Sequence, residues 1–205
     1  MKVMLINGSP HAKGNTYIAL EEMKKIFDAE NIEVDYVHIG NKVVRGCIGC
    51  GQCRTKGKCV FDDVVNETAK IFEEADGIVA GAPVYFGSAN ATMIAYLTRL
   101  FFSTPFDKRM KVGASVVVSR RGGSSAAFDE LNKFFTIREM PVVSSQYWNM
   151  IYGREQGEAL KDAEGLQTMR TLARNMIFLM KSISLGKEKF GLPQKEEWIP
   201  THFIR

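Results

Sequence analysis

Short apolar runs alternate with amphipathic stretches along most of the 205 residues, and this alternation constrains the fold more than any other feature. A strand covered on both faces needs apolar side chains on both sides, so it reads as a continuous hydrophobic run. Lys2–Asn7, residues 77–82 and residues 112–119 have that character. Val34, Tyr36, Val37 and Ile39 predict another strand, and a short one is expected at 142–143. Between these runs, apolar residues recur at helical spacing. They do so over 16–29 (Ile18, Met23, Ile26, Phe27), from Asp62 or Asp63 to Phe72, over 88–102, near 126–135 and over 162–183. Five strands alternating with five helices predict an α/β three-layer sandwich, with a five-stranded parallel sheet and helices on both faces. Right-handed crossovers leave few topologies, and the strand order 2-1-3-4-5 is the expected one.

In such sheets ligands bind beyond the carboxyl ends of the strands, where the strand order reverses. After the first strand comes Gly8-Ser9-Pro10-His11-Ala12-Lys13-Gly14-Asn15-Thr16, leading into a helix. A small loop at a helix N-terminus offers free N–H groups and the positive end of a dipole to an anion, and Ser9, His11, Asn15 and Thr16 add side-chain groups. Lys13 precedes Gly14 instead of following it, and the G-x-G-x-x-G spacing is missing. A triphosphate or a dinucleotide is thereby disfavoured and a monophosphate favoured. After the third strand, Pro83, Val84, Tyr85, Phe86 and Gly87 combine small and aromatic residues that suit a flat ring lying against the backbone. After the fourth, Ser119, Arg120, Arg121, Gly122 and Gly123 form another glycine turn, whose arginine could face a carbonyl or phosphate.

All four cysteines, Cys47, Cys50, Cys53 and Cys59, fall within thirteen residues in the spacing C-x2-C-x2-C-x5-C. Four thiolates so placed can ligate the corners of a 4Fe–4S cubane, and the interleaved Gly46, Gly49, Gly51 and Gly57 allow the tight turns this needs. A zinc site and a loop of free thiols remain alternatives, although zinc ligands usually come as two spaced pairs. The N-terminus runs straight into a strand with no leader pattern, so a cytoplasmic location is expected and disulfides are disfavoured. No apolar run is long enough to cross a bilayer, which predicts no membrane partner. A net charge of +4, from 27 basic and 23 acidic residues, is too small and too dispersed for a nucleic-acid footprint. Arg45, Arg54, Lys56 and Lys58 are concentrated around the cysteines, where they could offset cluster charge or attract an acidic electron carrier. Of the three histidines, His11, His38 and His202, only His11 lies in a site loop.

These residues together carry a resemblance. The stretch from Gly8-Ser9-Pro10 to Gly14-Asn15-Thr16, the four cysteines, Asp62-Asp63 and Pro83-Val84-Tyr85-Phe86-Gly87 resemble the NAD(P)H-dependent FMN reductases of the flavodoxin-like superfamily, and within them the iron–sulfur flavoproteins. The likeness covers about residues 1–150. It implies non-covalent FMN, with its phosphate in the first loop and its ring against 83–88 and the Ser119-Arg120-Gly122 turn. It also implies a cluster on the cysteines and a homodimer or homotetramer. The expected activity is an FMN-dependent oxidoreductase passing electrons between FMN and the cluster, with NAD(P)H or ferredoxin as donor. A cluster-free flavin or quinone reductase and a flavin-binding carrier without turnover stand as alternatives. The expected organisation is one domain, 1–186, with the cysteine loop as an insertion at 45–60. An extended arm, 187–205, follows, and its Phe190, Trp198, Ile199, Phe203 and Ile204 are expected to dock on a neighbouring subunit.

Overall fold

A computed structural model describes residues 1–201 and 203; His202 and Ile204 lie outside the described residues. Strand β1 (Lys2–Asn7) is central because its side chains alternate between two buried faces. Val3 and Leu5 point to one core, while Met4 and Ile6 point to the other. Helix α1 (Asn15–Ala29) returns the chain to β2 (Glu33–His38), which pairs in parallel with β1, Leu5 opposite Tyr36. A long excursion holding the one-turn α2 (Cys53–Lys56) leads to α3 (Val64–Glu74), capped by the Asp63 carboxylate, which accepts the Val65 N–H at 3.1 Å. Strands β3 (Gly77–Tyr85) and β5 (Val112–Ser119) then extend the sheet, with α4 (Ala91–Ser103) between them and α5 (Ser124–Thr136) after.

With β6 (Met150–Tyr152) at the far edge, the sheet order is β2-β1-β3-β5-β6, all parallel, which is the expected 2-1-3-4-5 once the short β4 (Ser88–Ala89) is set aside. That strand was not anticipated: it folds back antiparallel on the end of β3, pairing Val84 with Ala89. The turn needs Phe86 at φ +53° and Gly87 at φ +79°, which leaves the Phe86 side chain fully exposed. Helices α3, α4 and α5 cover one face of the sheet with Phe72, Tyr96, Leu97, Leu131 and Phe135. On the other face, α1 and the long α6 (Ala163–Phe190) supply Leu20, Met23, Phe27, Met169, Leu172 and Met176.

The fifth strand does not lie at 142–143. Val142 makes only an isolated bridge to Gly113, and the strand is β6, Met150–Tyr152, pairing with Val117, Val118 and Ser119. Gly113 N–H bonds to the Pro141 carbonyl and Val143 N–H to the Gly113 carbonyl, after which the chain leaves the edge. It rejoins when Val117 N–H donates to the Asn149 carbonyl at 2.9 Å. The excursion carries the exposed Tyr147 and Trp148. Asp162 caps α6 by accepting Gly165 N–H, and its other oxygen holds Tyr152 N–H at 2.7 Å, fixing β6 to the helix start. The helix runs through Gly186 to Phe190, so residues 187–190 form its last turn and the extended segment starts at Gly191.

Candidate functional site

The carboxyl ends of β1, β3 and β5 open on a cleft of about 440 Å³. Its floor begins at the loop after β1, which is held from several sides. Buried Asn7 accepts Ser9 N–H at 2.9 Å, and Asn90 donates to the Gly8 carbonyl at 2.7 Å. His38 Nε2 lies 2.8 Å from the Ser9 carbonyl, which can only accept, so this ring nitrogen carries the proton. Gly40 has no alternative residue here: a Cβ would overlap the Ser9 carbonyl oxygen. The His11 N–H bonds to Ser9 Oγ, and the first intrahelical bond of α1 is Ile18 N–H to the Gly14 carbonyl. The N–H groups of Asn15, Thr16 and Tyr17 precede that bond and face the loop without helical partners.

Nine of the twelve anticipated cofactor residues line this one cleft: Ser9, His11, Asn15, Thr16, Pro83, Val84, Tyr85, Ser119 and Arg120. Phe86, Gly87 and Gly122 do not. Phe86 and Gly87 form the hairpin tip beyond the cleft rim. Gly123, not Gly122, is the constrained glycine of the third loop: at φ +87°, a Cβ there would stand 2.7 Å from Gly87 Cα. The hairpin is fixed by Glu130 of α5, whose Oε2 accepts from Ser88 Oγ at 2.6 Å and from Ala89 N–H at 3.0 Å. Ser119 and Ser124 hydroxyls meet at 2.7 Å.

The fourth wall went unread in the sequence. Gly153, Arg154, Glu155 and Gln156, the turn after β6, close the cleft. Gly153 N–H donates to the Ser119 carbonyl, and Gln156 Nε2 reaches the Lys13 carbonyl at 3.1 Å. Asn15 clamps this turn: its Nδ2 donates to the Glu155 carbonyl at 2.9 Å, and its Oδ1 accepts from Gly157 at 3.1 Å and Ala159 at 3.2 Å. Its amide is therefore engaged by the chain itself. Glu158 holds the same turn, and backbone N–H donors from Glu155 and Arg154 draw its carboxyl below the ordinary range.

The cysteines form a second site. Cys47, Cys50, Cys53 and Cys59 all line one small cavity, closed by Ile48, Val60, Phe61, Phe102 and Arg99. Cys47 and Cys50 are exposed, Cys53 and Cys59 half-buried, and all four are free thiols. Gly49 and Gly51 adopt φ +67° and +68°, turning the chain between successive cysteines, and Gly49 N–H points at Cys47 Sγ at 3.5 Å. Asn66 fixes the far end, bonding both the N–H and the carbonyl of Cys59 at 3.0 Å. Among the described residues, no three His, Cys, Asp or Glu side chains are grouped to hold a single metal ion. A tetrahedral zinc site would bring sulfurs within about 3.8 Å of one another, given its bond length of about 2.3 Å. A cubane takes one thiolate per iron, and four cysteines lining one apolar cavity supply that donor set.

None of the four cysteines lines the cleft itself. An open apolar groove runs along α4 and borders both sites, lined by Cys47, Tyr85, Phe86, Ala91, Ile94 and Thr98 among others. Tyr85 is common to groove and cleft, and Cys47 to groove and cysteine cavity.

A doubly wound parallel sheet whose strand ends carry a loop into a helix N-terminus, a short hairpin and a glycine turn defines a flavodoxin-like protein. Its solved structural neighbours share that fold. RosB with bound 8-demethyl-8-formylriboflavin-5'-phosphate superposes with a TM-score of 0.70 at 13% identity, covering 100% of this chain and 94% of that one. An NAD(P)H:quinone oxidoreductase from Methanothermobacter marburgensis gives 0.66 at 13% identity, covering 86% and 96%. Residues 1–155 match the NADPH-dependent FMN reductase family, and the chain belongs to it; it is an FMN-dependent oxidoreductase. Among curated relatives, an iron-sulfur flavoprotein of Methanocaldococcus jannaschii is 36% identical over 194 residues, covering 89% of this chain and 99% of the relative. An iron-sulfur flavoprotein of Methanosarcina thermophila is 31% identical over 193 residues, covering 92% and 100%. No helix among the described residues is long and apolar enough to cross a membrane.

Proposed function

We propose that this chain moves electrons between FMN in the cleft and a 4Fe–4S cluster on Cys47, Cys50, Cys53 and Cys59. The observation that carries the reading is the groove that shares Tyr85 with the cleft and Cys47 with the cysteine cavity. Curated relatives named iron-sulfur flavoproteins support it. When bound, FMN supplies hydride or single-electron chemistry and the cluster single-electron chemistry.

The chain supplies position and electrostatics. Ser9, His11, Thr16 and the first N–H groups of α1 bind the phosphate at the positive end of that helix. Pro83, Val84, Tyr85, Ser119 and Arg120, which line the same cleft, would hold the flat ring. The turn at 153–156, held by Asn15, shields the phosphate from water. Arg45, Arg54, Lys56 and Lys58 surround the cluster loop, a charge arrangement that suits an acidic carrier such as ferredoxin as donor, with NAD(P)H the alternative supply. Free cysteines suit a reducing, cytoplasmic setting. Trp198, Ile199 and Phe203 are each more than four-fifths exposed, and we assign the segment from Gly191 to contact with a second copy in a homodimer or homotetramer.

Anaerobic purification with flavin and iron quantified per chain tests the reading. One FMN and four irons per chain is the expected result. FMN without iron, bleached rapidly by NAD(P)H, replaces it with a cluster-free reductase. FMN without iron and without turnover replaces it with a carrier.

A further inference from the structure

Arg99 is the largest side chain buried in the fold, 1% exposed, on a helix otherwise packed with apolar residues. Burying a guanidinium costs several kcal/mol unless its charge and its N–H groups are met. Asp63 meets part of that need through a two-pronged pair, Nη1 to Oδ2 at 2.6 Å and Nη2 to Oδ1 at 3.0 Å. The carbonyls of Arg45 and Phe61 accept further bonds at 3.3 and 3.1 Å. The one N–H group left over, on Nε, lies 3.3 Å from Cys59 Sγ, and Nη2, whose two N–H groups also serve Asp63 and Phe61, stands 3.2 Å from the same sulfur. The Phe61 ring, 5.2 Å from the guanidinium, covers this contact and keeps water from it.

Resting on the proposed cluster, we propose that Arg99 sets its reduction potential by donating its Nε–H to the Cys59 sulfur, with an Nη2 N–H shared between that sulfur and its oxygen partners. Reduction adds one electron to the centre and breaks no bond. The added negative charge is shared with the ligating sulfurs, so N–H donors and a fixed cation favour the reduced form over the oxidised one. Arg99 touches only this sulfur among the four, which makes the Cys59 corner the most strongly stabilised. Asp63 and the two carbonyls fix the fork, so Arg99 is a positioning residue whose own geometry is locked by α3 and the loop.

The test is an EPR-monitored redox titration of the full chain, purified anaerobically with its iron, beside Arg99→Lys. Lysine keeps the charge but presents one nitrogen, which cannot occupy both donor positions on Cys59. At the wild-type midpoint the reduced-to-oxidised ratio should fall tenfold or more, a lowering of 59 mV or more for a one-electron couple. An unchanged potential in a variant that retains four irons overturns the inference while leaving the proposed function standing. If Arg99→Lys loses its iron, resonance Raman of the wild-type protein decides. An Fe–S(Cys) stretch that shifts on transfer to D2O supports N–H donation to sulfur, and an unshifted band overturns it. Wild-type protein that binds FMN but no iron overturns both the proposed function and this inference.

Discussion

Asn15→Ala separates two accounts of the cofactor cleft. Read from the sequence, the Asn15 amide binds phosphate; in the structure it makes three hydrogen bonds to the turn at 155–159. Neutral hydrogen bonds contribute about 0.5–1.5 kcal/mol each, and one of these three is solvent-exposed, so their loss should cost about 2 kcal/mol. For a chain of this length that lowers the melting temperature of the apoprotein by about 4–8 °C. The Gly157 and Ala159 amides, which lose their acceptor, should exchange faster with solvent. FMN affinity should fall about tenfold or less, because the loosened turn must be ordered on binding. Differential scanning calorimetry, amide exchange and an FMN titration of the apoprotein measure these three quantities. Unchanged stability and exchange with a larger loss of affinity would refute the clamp and restore the direct phosphate contact.

Thr16→Val should weaken FMN binding by about 1–3 kcal/mol through loss of a charge-assisted bond, with little change in apoprotein stability, as the same titration reads. Gly40→Ala drives a Cβ into the Ser9 carbonyl, so the variant should lose FMN or fail to fold, read by flavin content and far-UV circular dichroism. Cys50→Ser should abolish bound iron while FMN content stays at one per chain, measured by iron assay and flavin absorbance. Burial draws the Lys108 ammonium down to about 8. In the unfolded chain its pKa is ordinary, so between about pH 8 and pH 10.5 the unfolded state binds more protons and this residue makes stability rise with pH. Urea midpoints of Lys108→Met should lack that rise, and an identical pH profile would contradict it.

Residues that obey local periodicity were readable in the chain. Val3, Leu5, Met4 and Ile6 announce a strand buried on two faces, and the loops after β1, β3 and β5 follow from where those strands end. Strand β6 was hidden because three residues carry no usable period, and its pairing depends on the Asn149 carbonyl, reached after an excursion. The turn at 153–156 bears no phosphate-loop pattern, and Asn15 meets it across more than 140 residues of sequence. Nothing in the sequence marks Arg99, since only the returning cysteine loop places Cys59, Phe61 and Asp63 around it. The apolar stripe of α6 gives out at Ile183, so the sequence marks the helix only to there, yet it continues through Gly186 to Phe190.

Under the proposed function, FMN in the cleft and the cluster on the cysteines exchange electrons across the groove holding Tyr85, Phe86 and Cys47. Rapid anaerobic mixing of the fully oxidised protein with a donor that reduces the flavin, followed at flavin and cluster wavelengths, tests it most directly. Flavin reduction followed by cluster bleaching at a rate independent of protein concentration, and lost in Cys50→Ser, is the predicted result. A cluster that stays oxidised while the flavin is fully reduced would contradict the account.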